Sequence, residues 1–169
     1  SYLQTLSSLR RVVSQFDKNG KFTEPRKLHC TQWGVICPFE TPEGSSIGIV
    51  KNMALTCTVT VPCSTDTIIS CLEENDVIQL EEVNPVDVYD SVKVFVNGDW
   101  YGQSRNPEIL VPKLKKYRRE GIINPYISIS WNIDLSEIQI WTDGGRMCRP
   151  LYIVEDNKLN ITDEYIKKM

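Results

Sequence analysis

The run Pro25-Arg26-Lys27-Leu28-His29-Cys30-Thr31-Gln32-Trp33-Gly34-Val35-Ile36-Cys37-Pro38-Phe39-Glu40-Thr41-Pro42-Glu43-Gly44, continuing to Gly48-Ile49-Val50-Lys51-Asn52, is dense in proline and glycine and has little periodicity. Pro38 and Pro42 fix their own backbone angles and remove donors, while Gly44 and Gly48 open conformations closed to other residues. The stretch is therefore set on a specific irregular path. Ordering so many backbone groups is costly, and such segments are seldom kept as mere connections. Residues 47–61 are apolar enough to be the buried element beneath that path. Helix and strand both fit there, and the β-branched Thr56, Thr58, Val59, Thr60 and Val61 favour a strand at its end.

Upstream, Leu3, Leu6, Leu9 and Val13 recur at a spacing that predicts a short helix from Tyr2 to Val13, with Arg10 and Arg11 aimed outward at its C-terminal end. Phe16-Asp17-Lys18-Asn19-Gly20-Lys21 reads as an exposed turn, because Asn-Gly supplies the positive backbone angles of tight reversals. Downstream, Ser64 or Asp66 can cap a short helix through Ile68, Ile69 and Leu72 that ends at Glu73-Glu74-Asn75-Asp76. Val92 to Tyr101 alternates apolar and polar around Asn97-Gly98, the strongest hairpin signal in the chain. Leu110, Leu114 and Tyr117 then line one face of a helix that Gly121 stops. That helix either begins near Pro112 or starts at Asn106-Pro107 and kinks. Strand-like runs follow at Tyr126–Ile133, Glu137–Thr142 and Arg149–Val154.

The chain has 169 residues, 41% of them hydrophobic, which is enough for one domain or for two to three small ones with ordinary cores. No apolar run approaches the roughly 20 residues that cross a bilayer, and Ser1-Tyr2-Leu3 lacks the layout of a secretion signal. The net charge of −3 conceals an asymmetry: Arg10, Arg11, Lys18, Lys21, Arg26 and Lys27 face only Asp17 and Glu24 before His29, whereas the stretch from Asp66 to Asp90 is acidic without a Lys or Arg. The start can attract phosphate and the middle repels it, although solvated faces explain both patterns too. Lys115, Lys116, Arg118 and Arg119 read in the same two ways, as a phosphate-binding patch or as a solvated helix end favoured by the macrodipole.

Six cysteines occur without a Cys-x-x-Cys pair, and His29 is the only histidine, so the usual knuckle of a tetrahedral zinc site is missing and reduced thiols are expected. Asp143-Gly144-Gly145-Arg146 has neither the Lys-Ser/Thr of a phosphate loop nor dinucleotide glycine spacing, and is expected to be a strand connection. His29 has no partner constellation and reads as a packing residue, and Trp33 as an apolar plug beneath the irregular loop.

Taken as an ordered whole, the run from Pro25 to Asn52 resembles the fork region of the second-largest (β-like) subunit of multisubunit DNA-directed RNA polymerases, in the branch shared by eukaryotes, archaea and large DNA viruses. Leu6-Ser7-Ser8-Leu9-Arg10-Arg11 lies before it in the family's order. Val94-Phe95-Val96-Asn97-Gly98-Asp99-Trp100-Tyr101-Gly102, similar to the hairpin of the outer lobe, and Thr142-Asp143-Gly144-Gly145-Arg146-Met147-Cys148-Arg149-Pro150-Leu151-Tyr152-Ile153-Val154 follow. The resemblance implies an α+β fold of mixed small domains, with an irregular Pro/Gly-rich fork, short helices and antiparallel strands. It divides the chain into 1–61 (fork domain, partial), 62–121 (external domain 1) and 122–169 (external domain 2, partial). The subunit it resembles is far longer and the chain has no initiator Met, so an internal piece is expected.

The function so implied is DNA-templated transcription, the fork separating the DNA strands and holding the RNA–DNA hybrid near the active centre. By position in the family, Arg11 approaches the hybrid with Arg10 as its basic neighbour, Lys18 and Lys21 lie in a loop near the point where downstream DNA opens, and Arg26 with Lys27 stands on the fork facing the active centre. These six are the expected nucleic-acid contacts. Guanidinium forks suit bidentate phosphate contacts and tolerate any base sequence. Glu40 and Glu43 are expected to support the active centre by orienting arginines or elements of the largest subunit, with turn maintenance an equal reading for Glu40. The loop carries Lys18-Asn19 where related sequences often have Arg-Asp, and Glu24 where a basic residue can stand, which keeps charge at Lys18 but loses fork geometry.

Two-metal nucleotide addition needs clustered carboxylates, and no Asp-x-Asp-x-Asp cluster occurs in the chain. The resemblance assigns the Mg²⁺ ligands to the largest subunit, so no catalytic residue, no metal and no activity are expected of this piece alone. The implied partners are the largest subunit and other polymerase subunits, the DNA template, the RNA transcript and ribonucleoside triphosphates, with no membrane. The implied location is the nucleus for a cellular eukaryotic enzyme, and the virion or host cytoplasm for a large DNA virus, whose wording Cys37-Pro38-Phe39-Glu40 with Ser45-Ser46-Ile47 resembles more closely. Two other readings stay open at this point: a non-enzymatic nucleic-acid-binding module using the basic start, where only Phe16 and Phe22 interleave aromatics with cations, and a structural interaction domain built on the acidic unit and its hairpin.

Overall fold

Frequent Pro and Gly keep the secondary structure in short pieces. The computed structural model describes residues 1–16, 20–84, 91–161 and 166–167. In chain order these form α1 (Tyr2–Leu9), β1 (Arg11–Val13), β2 (Val50–Asn52), β3 (Thr58–Val59), α2 (Asp66–Glu73), β4 (Ile78–Gln79), β5 (Val92–Val96), β6 (Asp99–Ser104), α3 (Pro107–Glu120), β7 (Ser128–Asn132), β8 (Glu137–Trp141), β9 (Met147–Cys148), β10 (Val154–Glu155) and β11 (Lys158–Leu159). Single 3₁₀ turns occur at Glu24–Arg26, Cys30–Gln32, Gly44–Ser46 and Leu80–Glu82. The mixture of short helices with mainly antiparallel strands is the α+β class expected. Two compact units divide the chain, one of Ser1–Thr58 with Met147–Met169, the other of Val59–Arg146.

The second unit is built on a five-stranded sheet in the order β4-β6-β5-β8-β7, antiparallel except for the parallel pair β5 and β8. Alternation places Val94, Val96, Ile138 and Ile140 on one face, where they pack with Ile68 and Leu72 of α2 and Leu110 and Leu114 of α3. On the other face Phe95 and Trp100 hold their ring centroids 6.4 Å apart, and the Lys93 ammonium lies 5.5 Å from the Trp100 ring. The expected boundary at 121/122 falls inside this unit, since β7 and β8 join the sheet that β4 to β6 begin.

Asn97 (φ 51°) and Gly98 (φ 92°) both adopt the left-handed conformation that a two-residue hairpin turn requires. Asn97 does more than turn the chain. Its Oδ1 accepts from the Thr142 amide at 2.8 Å and its Nδ2 donates to Thr142 Oγ1 at 2.8 Å, fastening the hairpin tip to the end of β8. The next turn, 143–146, closes on Thr60: the Gly145 amide donates to the Thr60 carbonyl (3.0 Å) and the Thr60 amide to the Arg146 carbonyl (2.9 Å). The Asp-Gly-Gly-Arg segment is thus a strand connection.

α3 starts at Pro107 and keeps Pro112 inside it, on its exposed side, before Gly121 (φ 77°) ends it. The Arg118 guanidinium turns in to donate to the Ile127 carbonyl at 3.0 Å, and burial together with the neighbouring Arg119 lowers its pKa from the ordinary value. Lys116 pairs with Glu120 at 3.7 Å and Lys113 lies 5.9 Å from the Tyr117 ring. Three of the helix's cations are therefore already engaged within the helix or its unit. In α2 the Glu73 carboxylate accepts from the Tyr101 hydroxyl at 3.0 Å, and burial followed by that bond raises the Tyr101 pKa.

In the first unit the expected helix from Tyr2 to Val13 ends at Leu9, and Arg11–Val13 pairs instead with Val50–Asn52 as an antiparallel two-strand ribbon. The β-branched Val12 and Val13 suit that strand, and the pairing with β2 outweighs the local helical period. The expected strand Arg149–Val154 is confined to Met147–Cys148 and to Val154–Glu155. Pro150 has no N–H for a ladder, and the Arg149 side chain packs on Gly34, where an added Cβ would come within 2.7 Å of Arg149 Cδ.

Truncating the core and the surface at matched chemistry checks this arrangement. Ile138→Ala, at a fully buried position, is expected to cost about 2–5 kcal/mol, while Ile109→Ala, 68% exposed on α3, stays within about 0.5 kcal/mol. Urea denaturation followed by tryptophan fluorescence reads both values.

Candidate nucleic-acid interface

The cations of the first unit arrive at their places through irregular backbone, and the unpaired carbonyls of that backbone compete for them. Arg10 caps α1, and its Nη2 donates to the Ala54 carbonyl at 2.6 Å and the Cys57 carbonyl at 3.1 Å. Its side chain is half-buried and turned inward rather than outward. Arg11, next in sequence, sits in β1 opposite Asn52 and is exposed. The change from helix cap at Arg10 to strand at Arg11 gives different surroundings to two arginines that a helix end would have presented together.

Arg26 closes the short turn Glu24–Arg26. Its Nε donates to the Phe22 carbonyl at 3.1 Å, its Nη2 to the Gly20 carbonyl at 3.1 Å, and its Nη1 to the Ser45 and Ile47 carbonyls at 2.7 and 2.9 Å. Behind it, Gly48 (φ 68°) lies so close that an added Cβ would meet the Arg26 carbonyl oxygen at 2.5 Å. Thr41 fixes the other side, donating to the Val50 carbonyl at 3.1 Å and accepting from the Gly48 amide at 2.9 Å. The turn bearing Glu43 is thus tied at both of its stems.

Lys21 is exposed, and Lys27 is exposed with its ammonium 2.6 Å from Glu24. With both side chains largely in solvent, that pair contributes little and leaves Lys27 available for exchange. Lys18 lies outside the described residues. The Glu40 carboxylate accepts from the Ser7 hydroxyl of α1, and its carbonyl accepts from Asn52 Nδ2 at 3.0 Å. Glu43 is exposed and precedes the 44–46 turn without capping it through its side chain. Among the described residues no group of three or more His, Cys, Asp and Glu side chains is placed to hold a metal ion.

Two family models match the chain in order: the model for RNA polymerase Rpb2, domain 3, over residues 1–59, and that for RNA polymerase Rpb2, domain 4, over residues 94–155. Together they take in well over half of the sequence. The chain belongs to the Rpb2 family. It is 43% identical over 169 residues to the DNA-directed RNA polymerase II subunit RPB2 of Encephalitozoon cuniculi, covering all of this chain and 15% of that protein. It is 44% identical over 161 residues to DNA-directed RNA polymerase II subunit 2 of Arabidopsis thaliana, covering 95% of this chain and 14% of that protein. The DNA-directed RNA polymerase III subunit RPC2 of Drosophila melanogaster is 36% identical over 171 residues, again with all of this chain and 15% of that protein. The chain therefore spans about one seventh of the length of these curated relatives.

Within this Rpb2-family chain, the reading of the sequence missed Lys51 and misplaced Trp33 and His29. Lys51 pairs with Val12 in the same ribbon as Arg11 and lines a small cleft with Lys27 and Glu40. A strand assignment for residues 50–52 would have placed it beside the other cations. Trp33 is 77% exposed rather than a plug. It borders an apolar groove of about 500 Å³ with Leu28, Ile36, Pro38 and Ala54. His29, expected to pack, is exposed and accepts from the Thr31 amide at 3.3 Å to start the turn Cys30–Gln32.

Thiol labelling at pH 8 is expected to separate the cysteines by access and charge. Exposed Cys30 reacts first, Cys71 more slowly because burial and then Glu74 raise its thiol pKa, and fully buried Cys57 last. Timed maleimide quenching with peptide mass spectrometry reads the order.

Proposed function

We propose that this chain is part of the second-largest subunit of a DNA-directed RNA polymerase and that its first unit helps keep the DNA strands apart and hold the RNA–DNA hybrid near the active centre. In that assembly residues 1–61 serve as the end of the fork, with residues 62–146, which share one five-stranded sheet, as outer scaffold. The observation that carries the reading is the ordered pair of Rpb2 domain matches, supported by the exposed cations Arg11, Lys21 and Lys27 on a backbone tied down by Arg10, Arg26 and Thr41. Such cations contact phosphate without regard to base sequence, as a transcribing enzyme needs.

Nucleotide addition itself belongs to the whole enzyme. Mg²⁺, bound through the largest subunit, supplies the charge neutralisation that phosphoryl transfer demands, and this chain contributes positioning. Its partners are then the largest and other polymerase subunits, template DNA, the transcript and ribonucleoside triphosphates. The nucleus is the location for a cellular eukaryotic enzyme, and the virion or host cytoplasm for one from a large DNA virus. Glu40 and Glu43 support the active centre through the turn they flank.

Arg11→Ala in the assembled polymerase tests the reading. The expected result is weaker hold on an RNA–DNA scaffold, with the slope of log affinity against log salt reduced by about one, and impaired run-off transcription. Unchanged initiation, elongation and salt slope would overturn it.

A further inference from the structure

We propose that Arg26 is a positioning residue that locks two loops of the first unit together, and is not a phosphate ligand. This deepens the reading above and rests on it. A guanidinium carries five N–H donors, and the carbonyls of Phe22, Gly20, Ser45 and Ile47 occupy four of them. Two of these acceptors, Gly20 and Phe22, lie before Arg26 in sequence, and two, Ser45 and Ile47, lie just past Glu43-Gly44 on the other side of the Pro/Gly path. One planar group therefore spans two segments that are more than twenty positions apart in sequence.

The distances, 2.7 to 3.1 Å, suit charge-assisted bonds to carbonyl oxygen. To grip a phosphate, Arg26 would have to give up several of them and leave those carbonyls unsatisfied in a stretch with no ladder to take them over. Gly48 reinforces the lock, because its left-handed backbone lies directly against Arg26 and admits no Cβ. Lysine cannot replace the arrangement. A single ammonium on a flexible stem keeps the charge but cannot span four acceptors in a plane. The loop beginning at Gly20 and the turn bearing Glu43 thus keep a fixed separation. On the proposed reading, one meets DNA where it opens and the other stands near the active centre, so Arg26 sets their spacing.

The test uses the assembled polymerase carrying Arg26→Ala, Arg26→Lys, Gly48→Ala or Lys21→Ala. Two quantities are measured: the salt slope of scaffold affinity, and the elongation rate together with fluorescence of 2-aminopurine at the downstream edge of the bubble. Arg26→Lys and Gly48→Ala are expected to slow elongation by about tenfold and alter downstream opening, as misplacement does, while the salt slope stays at the wild-type value. Lys21→Ala is expected to lower the slope by about 0.7 to 0.9, the loss of one phosphate contact. A slope lowered by either Arg26 variant, or full activity in Arg26→Lys, overturns the positioning role. An unchanged slope in both Lys21→Ala and Arg11→Ala instead overturns the nucleic-acid reading beneath it. If Arg26→Ala does not assemble, the conservative lysine variant and Gly48→Ala decide the outcome alone.

Discussion

A backbone that follows neither helix nor strand leaves its carbonyls without ladder partners, and something must supply the donors. In the first unit that need is met by side chains: Arg10 serves Ala54 and Cys57, Thr56 serves Gly34, and Arg26 serves four carbonyls on two segments. A neutral bond of this kind contributes roughly 1 kcal/mol, and one to a charged group about 1.5–3 kcal/mol where it is shielded from solvent. The larger effect is on uniqueness. A planar guanidinium with fixed donor directions accepts one arrangement of the surrounding carbonyls and rejects its neighbours. The second unit repeats the device where its sheet ends: Thr60 clasps the 143–146 turn, and the Arg146 guanidinium reaches the Asp143 and Tyr126 carbonyls and the Ser128 hydroxyl.

This division of labour separates cations that look alike in the sequence. Arg10 and Arg26 are turned toward backbone, whereas Arg11, Lys21 and Lys27 face solvent. The cause is geometric. Arg10 ends α1, where the chain must turn into β1, and its side chain falls over the carbonyls at the far end of the β2 segment. Arg11 is the first residue of β1 and stays exposed. Counting basic residues before His29 therefore measures two things at once: the charge available to a polyanion and the donors that irregular backbone consumes.

The hairpin at Asn97-Gly98, helix α2 and the strands at 128–132 and 137–141 were legible because each is decided locally: by positive φ at two turn residues, by the helical spacing of Ile68 and Leu72, by alternation. The cap of α2 was not, since Thr65 rather than Ser64 or Asp66 stands at the N-cap and makes no side-chain cap bond. The start of α3 was open between two choices, and the structure takes Asn106-Pro107, where the missing N–H of Pro107 falls in the first turn. What could not be read depended on partners distant in sequence. The helix expected through Val13 gives way to a strand because residues 50–52 offer a ladder, and Arg149 to Ile153 leaves the strand because Arg149 packs on Gly34. Trp33 fits the composition of a core, yet its ring lies at the surface beside Leu28 and Pro38. In the candidate site the residue types were legible and their surroundings were not, since Arg10 and Arg26 meet carbonyls of segments that lie from 19 to 47 positions further along the chain.

Fixing the backbone with some cations makes the remaining ones more useful. A phosphate contact from a flexible loop must order both the loop and the side chain, and ordering each backbone residue costs about 1–2 kcal/mol. Arg11 avoids the first of these terms because pairing with Asn52 already fixes its Cα, leaving the side-chain rotamers to be ordered. Lys51 shares that advantage on the neighbouring strand. Lys21 lies one residue from Gly20 and Phe22, where two of the Arg26 bonds end, so its backbone is held by the same guanidinium. Contacts made this way depend on charge and spacing and are indifferent to the bases between them. On the function proposed above, an interface of this design would grip any sequence passing through it, as a fork meeting arbitrary template requires.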